Sequence, residues 1–357
     1  MPRFLACLLA GLASALAMPA VTAADGAARL AERADRLGLA ESATWHRLMH
    51  YVADGDGVVS EADSRNFFLA REGRRDPAAE LAATIRAFAR PRGSTLGSRG
   101  EHPQCRFIGR FRWLQRQLEP APEVWPEVEC RQFERWREAI APDRAALVFP
   151  AAYLNNPSSM FGHTLLRIDP SRDSQRHELT AYAVNFAART DESNGALFAI
   201  KGRTGLYPGR YSLRRYYELV NDYSEIESRD IWSYPLALER AEIDRMLRHL
   251  WELENVRFDY YFLSENCSYQ LLRLIEVARP DIDLASGFFY QVEPSATVKR
   301  LDDAGLLGEP SFRPALVTRI RDRLERLRPR GREYVARLVA GAAEEPPARL
   351  DEHDHAV

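Results

Sequence analysis

The sequence predicts an α+β fold in which an all-helical N-terminal domain precedes a mixed domain of short strands and helices. Two features predict it. Between Asp25 and about Arg90 apolar residues recur at helical spacing: Leu30, Leu37 and Leu39, then Trp45, Leu48 and Met49, then Leu81, Ile85 and Phe88. From Ala145 the composition changes to short β-rich runs at 146–153, 163–168, 179–187 and 230–238, with helical patterns at 216–223, 241–253 and 267–278.

In chain order, residues 1–24 read as a secretory signal. Arg3 gives a short positive region, Leu5 to Leu16 an apolar stretch, and Val21-Thr22-Ala23 a small-residue site cut after Ala23 or Ala24. Leu5-Ala6-Cys7 precedes that apolar stretch instead of following it, so Cys7 leaves with the signal and lipidation is not expected. Residues 25–100 form the helical domain and its Gly/Arg/Ser-rich linker, 91–100. Within it Asp54-Gly55-Asp56-Gly57 reads as an exposed turn, since Val52 stands where a calcium loop needs its first ligand. Residues 101–142 form a disulfide-linked helical segment and 143–312 the mixed domain. Residues 313–340 form a basic amphipathic helix with Leu316, Val317, Ile320, Leu324 and Leu327 on one face among Arg319, Arg321, Arg323 and Arg326. Such a helix either packs on the domain or docks on anionic lipid. Residues 341–357 are a polar, disordered tail whose His353 and His355 are a weak metal signal.

Past Ala24 no stretch reaches the roughly 18 apolar residues of a membrane helix. The formal net charge of -2 gives no case for nucleic acid. Export makes the cysteines informative, because an oxidising compartment pairs those that can meet. Cys105 and Cys130 flank the Trp113 helix and the proline-rich turn at 120–126, and are the expected disulfide. Cys267 is then left free.

Cys267 follows Ser264-Glu265-Asn266, any of which can cap a helix, and precedes Leu271, Leu272, Leu274 and Ile275, which give that helix a buried face. In the first turn the free N–H groups and the helix dipole favour a thiolate and can face an oxyanion. The bland alternative is a buried cysteine packing as a small hydrophobe. A histidine base decides between them. Of the eight histidines only His163 opens a β-run, after the loop Asn155-Asn156-Pro157-Ser158-Ser159-Met160-Phe161-Gly162. A symmetric hairpin turning near Ser174 sets Asn185 across from His163, where its amide fixes the imidazole tautomer.

Asn156-Pro157-Ser158-Ser159-Met160-Phe161-Gly162-His163-Thr164 and Glu265-Asn266-Cys267-Ser268-Tyr269 resemble the signatures of the Lnb-type periplasmic domain family. So do Gly205-Leu206-Tyr207-Pro208-Gly209-Arg210-Tyr211-Ser212, Arg229-Asp230-Ile231-Trp232 and His249-Leu250-Trp251-Glu252. That resemblance implies a permuted papain-like, NlpC-type thiol-enzyme domain over 143–312, in which the histidine strand precedes the cysteine helix. It implies Cys267 as nucleophile and His163 as base, with the third member, here Asn185, varying among relatives. A characterised member type is a lipoprotein N-acyltransferase, which moves a phospholipid acyl chain to the amino-terminal cysteine of a lipoprotein; a Cys267 thioester mechanism of that kind requires no metal or cofactor. Asn266, Ser268, Asn156, Ser159 and Tyr153 are the substrate or oxyanion candidates, and 201–212 either walls an acyl channel, forms a flap or is an ordinary loop. Longer members continue into membrane segments. Here contact with a membrane surface would fall to the basic C-terminal helix or a membrane partner, in the periplasm. Two rivals stand beside acyl transfer: a thiol peptidase or amidase on cell-wall peptides, and a non-catalytic envelope binding module.

Overall fold

In the computed structural model the described residues are 22–151, 163–170, 180–188, 195–288 and 292–341. The predicted signal up to residue 21, the tail from 342, and the candidates Tyr153, Asn156 and Ser159 lie outside them.

The N-terminal region is helical because its caps and apolar spacing agree. Helix α1 (Ala23–Arg36) starts on Thr22, α2 (Ala43–Met49) on Ser42 and α3 (Pro77–Phe88) on Asp76, each side-chain oxygen accepting a first-turn N–H. Pro77 sits in the first turn of α3, where no donor is lost. One hairpin interrupts the helices. His50 takes a left-handed φ of 54° and ends α2, after which β1 (Tyr51–Asp54) pairs antiparallel with β2 (Gly57–Ser60). The Asp-Gly-Asp-Gly stretch is thus a two-residue hairpin turn, with Gly55 at the positive φ of 60° that such turns require. Helices α4 (Ile108–Leu118) and α5 (Arg131–Ile140) follow. The Trp45 ring stacks on Trp113 at 5.7 Å, locking α2 to α4, and Cys105 is bonded to Cys130 across the intervening turn.

The mixed part is built on a seven-stranded sheet whose order is β8-β6-β5-β4-β3-β7-β9, antiparallel throughout. Its strands are β3 (Pro142–Pro150), β4 (Leu165–Pro170), β5 (Tyr182–Ala188), β6 (Tyr207–Arg215), β7 (Ile231–Pro235), β8 (Phe258–Tyr260) and β9 (Ser311–Arg313). Side chains alternate between two cores. Leu147, Leu166, Ile168, Val184 and Phe186 join the large core with the helices, while Val148, Leu165 and Ala183 join Tyr216, Leu219 and Ile231 on the other face. Both faces of central strand β4 are therefore covered.

The span 201–212, read from sequence as a wall, flap or loop, is the end of α6 (Gly195–Arg203), a turn and the first residues of β6. It is held on both sides, because β6 pairs with β5 and with β8. Gly205, at φ 72°, also lets the turn lie against Tyr261: a Cβ there would stand 2.3 Å from the Tyr261 ring.

Helices α7 (Arg240–Glu252), α8 (Cys267–Ala278) and α9 (Pro294–Asp303) complete the domain. Helix α8 is bolted to the N-terminal region by buried charge. Arg273 Nε reaches Glu61 at 3.1 Å and Nη1 reaches Glu276 at 3.0 Å, while Nη2 donates to the Tyr51 carbonyl at 3.2 Å. Tyr269 donates to Glu61 at 2.6 Å, and Arg47 from α2 pairs with Glu276 at 2.6 Å. The helix that carries Cys267 is thereby fixed at three successive turns.

The single C-terminal helix expected over 313–340 is two, α10 (Leu316–Arg326) and α11 (Pro329–Val339), since Pro329 forces the chain to leave α10 and restart. Helix α10 buries no residue; Leu316, Val317 and Ile320 remain exposed, and Arg319 pairs with Glu225. Among the described residues no helix is long and apolar enough to cross a membrane.

Candidate active site

Asn266 starts α8 by capping it: its Oδ1 accepts from Ser268 N at 3.0 Å and Tyr269 N at 3.3 Å. Its amide group donates to the carbonyls of Val292 at 2.8 Å and Phe262 at 3.2 Å. Such a cap contributes about 1 kcal/mol to the helix. These bonds also take Asn266 out of the oxyanion role considered for it, because both of its amide hydrogens are engaged. Ser268 is likewise engaged: its N–H serves the cap, and its buried hydroxyl bonds Thr164 at 3.0 Å. Both residues position Cys267.

Cys267, the free cysteine, is buried at the first position of α8. His163 lies just ahead of β4, and its Nδ1 is 3.1 Å from Cys267 Sγ. On its other side Nε2 donates to Asn185 Oδ1 at 2.8 Å. Asn185 thus holds the proton on Nε2 and leaves Nδ1 free to exchange one with sulfur. The β4–β5 ladder pairs Leu166 with Val184, which in extension sets Ala187, not Asn185, opposite His163. Asn185 reaches the imidazole from the diagonal position instead, on the same face.

The charges follow from this packing. Burial raises the Cys267 pKa, but the charge and hydrogen bond of His163 and the bonds from Thr164 outweigh it, lowering the thiol to about 6. Burial lowers His163, yet the thiolate beside it and the Asn185 amide win and raise it. Both shifts favour the thiolate–imidazolium pair over a neutral thiol beside a neutral imidazole.

Two tyrosines that periodicity and motif did not single out also meet the pair. The Tyr223 ring lies 6.2 Å from the imidazole, at a π-type turn that follows the short helix Tyr216–Val220. Tyr260, in β8, is buried against Cys267. Burial first, and then the thiolate charge, holds its phenol well above the ordinary range, so it stays a donor. It arrives through the β6–β8 pairing, which no local pattern encodes. A cleft of 650 Å³ lies elsewhere, walled by residues including Arg99, Arg135, Trp136, Tyr211 and Trp251, and shares no lining residue with the pair.

Comparison with known proteins brings two family matches. Residues 132–304 match the model described as the Lnb N-terminal periplasmic domain, and residues 37–117 match a domain of unknown function (DUF7843). No curated protein and no solved structure matches.

Proposed function

Residues 132–304 belong to the Lnb N-terminal periplasmic domain family, and on that footing we propose that this periplasmic protein is a cysteine-dependent acyltransferase or acyl hydrolase. The observation that carries the reading is the Sγ–Nδ1 distance of 3.1 Å, with Asn185 behind the imidazole. A buried free cysteine acting as a plain hydrophobe has no use for either partner. The domain is a permuted papain-like, NlpC-type fold in this reading, supported by the order of its parts: the histidine strand first, then the helix headed by cysteine.

The thiolate of Cys267 attacks the carbonyl carbon of a phospholipid ester. The oxygen that takes the electron pair faces the Tyr260 hydroxyl at the start of α8. Collapse breaks the C–O bond, and His163 gives its Nδ1 proton to the departing lysolipid alkoxide, leaving a thioester on sulfur and a neutral imidazole. An amine, such as the N-terminus of a lipoprotein, or a water then adds to the thioester and passes a proton to His163. The thiolate leaves and the ion pair is restored.

Lipid is favoured as donor by the surface beside the site. Leu197, Ile200 and Leu206 are 45%, 59% and 67% exposed on α6 and the turn after it. That element is tied to the segment leading into Cys267, since Phe262 N donates to the Gly202 carbonyl at 2.8 Å. Exposed apolar side chains grouped at a site mark contact with an apolar partner.

Wild-type protein mixed with phospholipid is expected to gain one acyl mass on Cys267, read by mass spectrometry, and to release lysolipid; Cys267→Ala should gain none. Absence of both products from the wild type would sink the acyl-transfer reading, and cleavage of cell-wall peptide would replace it with a thiol peptidase. Access to lipid is assigned to α10, whose exposed Leu316, Val317 and Ile320 sit among arginines. The protein is expected to sediment with phosphatidylglycerol vesicles and not with phosphatidylcholine vesicles. Ile320→Glu should release it, and unchanged sedimentation of that variant would remove α10 from this role.

A further inference from the structure

Strand β6 carries three arginines, and two of them are committed. Arg214 Nη2 reaches Glu218 at 3.4 Å; the Arg215 guanidinium lies 4.2 Å over the Tyr182 ring and donates to the Thr180 carbonyl at 3.4 Å. Arg210 is different. Among the described residues its guanidinium has no hydrogen-bond or ion-pair partner, although its Nε is buried away from water. A buried guanidinium donor left unpaired is costly, and such an orphan calls for an explanation.

The sheet register says where this cation stands. Arg210 pairs with Ala187 and Ser212 with Asn185, and residues directly opposite one another share a face. Asn185 is the residue that holds His163, and the extended β4–β5 register sets His163 itself opposite Ala187. Extended to His163, just ahead of β4, the register aligns His163, Ala187 and Arg210 in one row across the sheet, about 10 Å long at the usual strand spacing. Ala187 fills the middle of that row with only a methyl group. The other arginine near His163, Arg229, is spent on the chain itself, donating to the Ala151 and Pro150 carbonyls and pairing with Glu227.

We infer that Arg210 is the phosphate clamp of the site, its guanidinium receiving the phosphodiester of the lipid whose ester Cys267 attacks. The inference rests on the acyl-transfer reading above. In a glycerophospholipid the phosphate is only a few bonds from the ester carbonyl, so a carbonyl at Cys267 places the phosphate within an arginine side chain of β6. A guanidinium presents paired N–H donors that fit two phosphate oxygens at once, which lysine cannot match. The buried Nε gains its missing acceptor when that anion binds. A free phosphate ion has the same chemistry, but the exposed Leu197, Ile200 and Leu206 beside β6 suit the acyl chains that a lipid brings.

The test uses occupancy, not turnover. Protection of Cys267 from iodoacetamide is measured with dihexanoyl phosphatidylglycerol, with dihexanoylglycerol and with inorganic phosphate, in wild type, Arg210→Gln and Arg210→Lys. Wild type is expected to be protected at least tenfold more tightly by the phospholipid than by the uncharged diacylglycerol. That ratio should collapse toward one in Arg210→Gln and fall partway in Arg210→Lys, which also serves if the glutamine variant does not fold. A wild type that shows no preference, or a variant that keeps it, overturns the clamp. Protection by inorganic phosphate equal to that of phospholipid would give Arg210 to free phosphate and overturn it as well. A tenfold preference without any acyl adduct on Cys267 sinks acyl transfer and leaves the clamp; an adduct without the preference does the reverse.

Discussion

In His163→Ala, the pH at which Cys267 becomes reactive is expected to move from about 6 to above the ordinary thiol value of 9.0. Burial alone pushes this thiol up, and the imidazolium is the strongest force holding it down. Without it the thiolate falls to about one part in a hundred at pH 7, since a thiol two units below its pKa is mostly protonated. Loss of the proton donor to the leaving group, worth about 10²- to 10⁴-fold by itself, multiplies this, so acylation should slow about 10⁴- to 10⁶-fold in total. The measurement is the rate of iodoacetamide alkylation from pH 4 to 10, followed by mass spectrometry. In the wild type the rate should rise through about pH 6. A rise near 9 in the wild type, or an unmoved profile in the variant, would break the ion pair on which the mechanism stands. Asn185→Ala should change the profile less, because Asn185 orients the imidazole and does not touch sulfur.

The parts of this site differ in how far the sequence exposes them, for physical reasons. Cys267 is legible because capping residues, helix start and a buried face are local properties. A symmetric hairpin sets Asn185 opposite His163, and the actual ladder is displaced from that by two residues. Side chains alternate with a period of two, so this displacement kept Asn185 on the face of His163; a slip of one would have turned it away. Tyr260 and Arg210 are not legible. Tyr260 reaches sulfur through the edge pairing of β8 on β6, and an arginine declares itself unpaired only once every neighbour is in place. The hairpin 51–60 hides for a different reason: its strands have four residues each, too few for alternation to stand out from the helices around it. Asn266 shows the opposite failure. Its type suits both a cap and an oxyanion donor, and only the Val292 and Phe262 carbonyls decide between them.

Arg273→Ala is expected to destabilise the protein by about 3–5 kcal/mol, because it leaves the buried carboxylate of Glu61 without its cation. Glu61 would keep the Tyr269 hydroxyl and the His50 ring at 3.9 Å, and Glu276 would keep Arg47 and the N–H groups of Leu284 and Ala285. Replacing both members of such a pair with apolar groups is often tolerated, whereas removing one is not. The pH dependence follows from Glu61. Burial raises its pKa above the ordinary 4.5 even with Arg273 present, and Arg273 is the strongest opposing influence. In the window above 4.5 the folded state holds a proton that the unfolded chain has lost, so stability falls as pH rises through that window. Removing Arg273 lifts the folded pKa further and extends the window upward. The loss should therefore be larger at pH 8 than at pH 5, measured as the shift in urea midpoint against wild type. A cost below about 1 kcal/mol at pH 8, in the range of an exposed pair, or a greater cost at pH 5, would show that the bolt between α8 and the N-terminal hairpin contributes little. If the bolt holds as described, partial urea unfolding should not release the N-terminal region alone, because α8 carries Arg273 and Cys267 on one rigid element. Loss of Cys267 protection and loss of the hairpin would then occur in one transition.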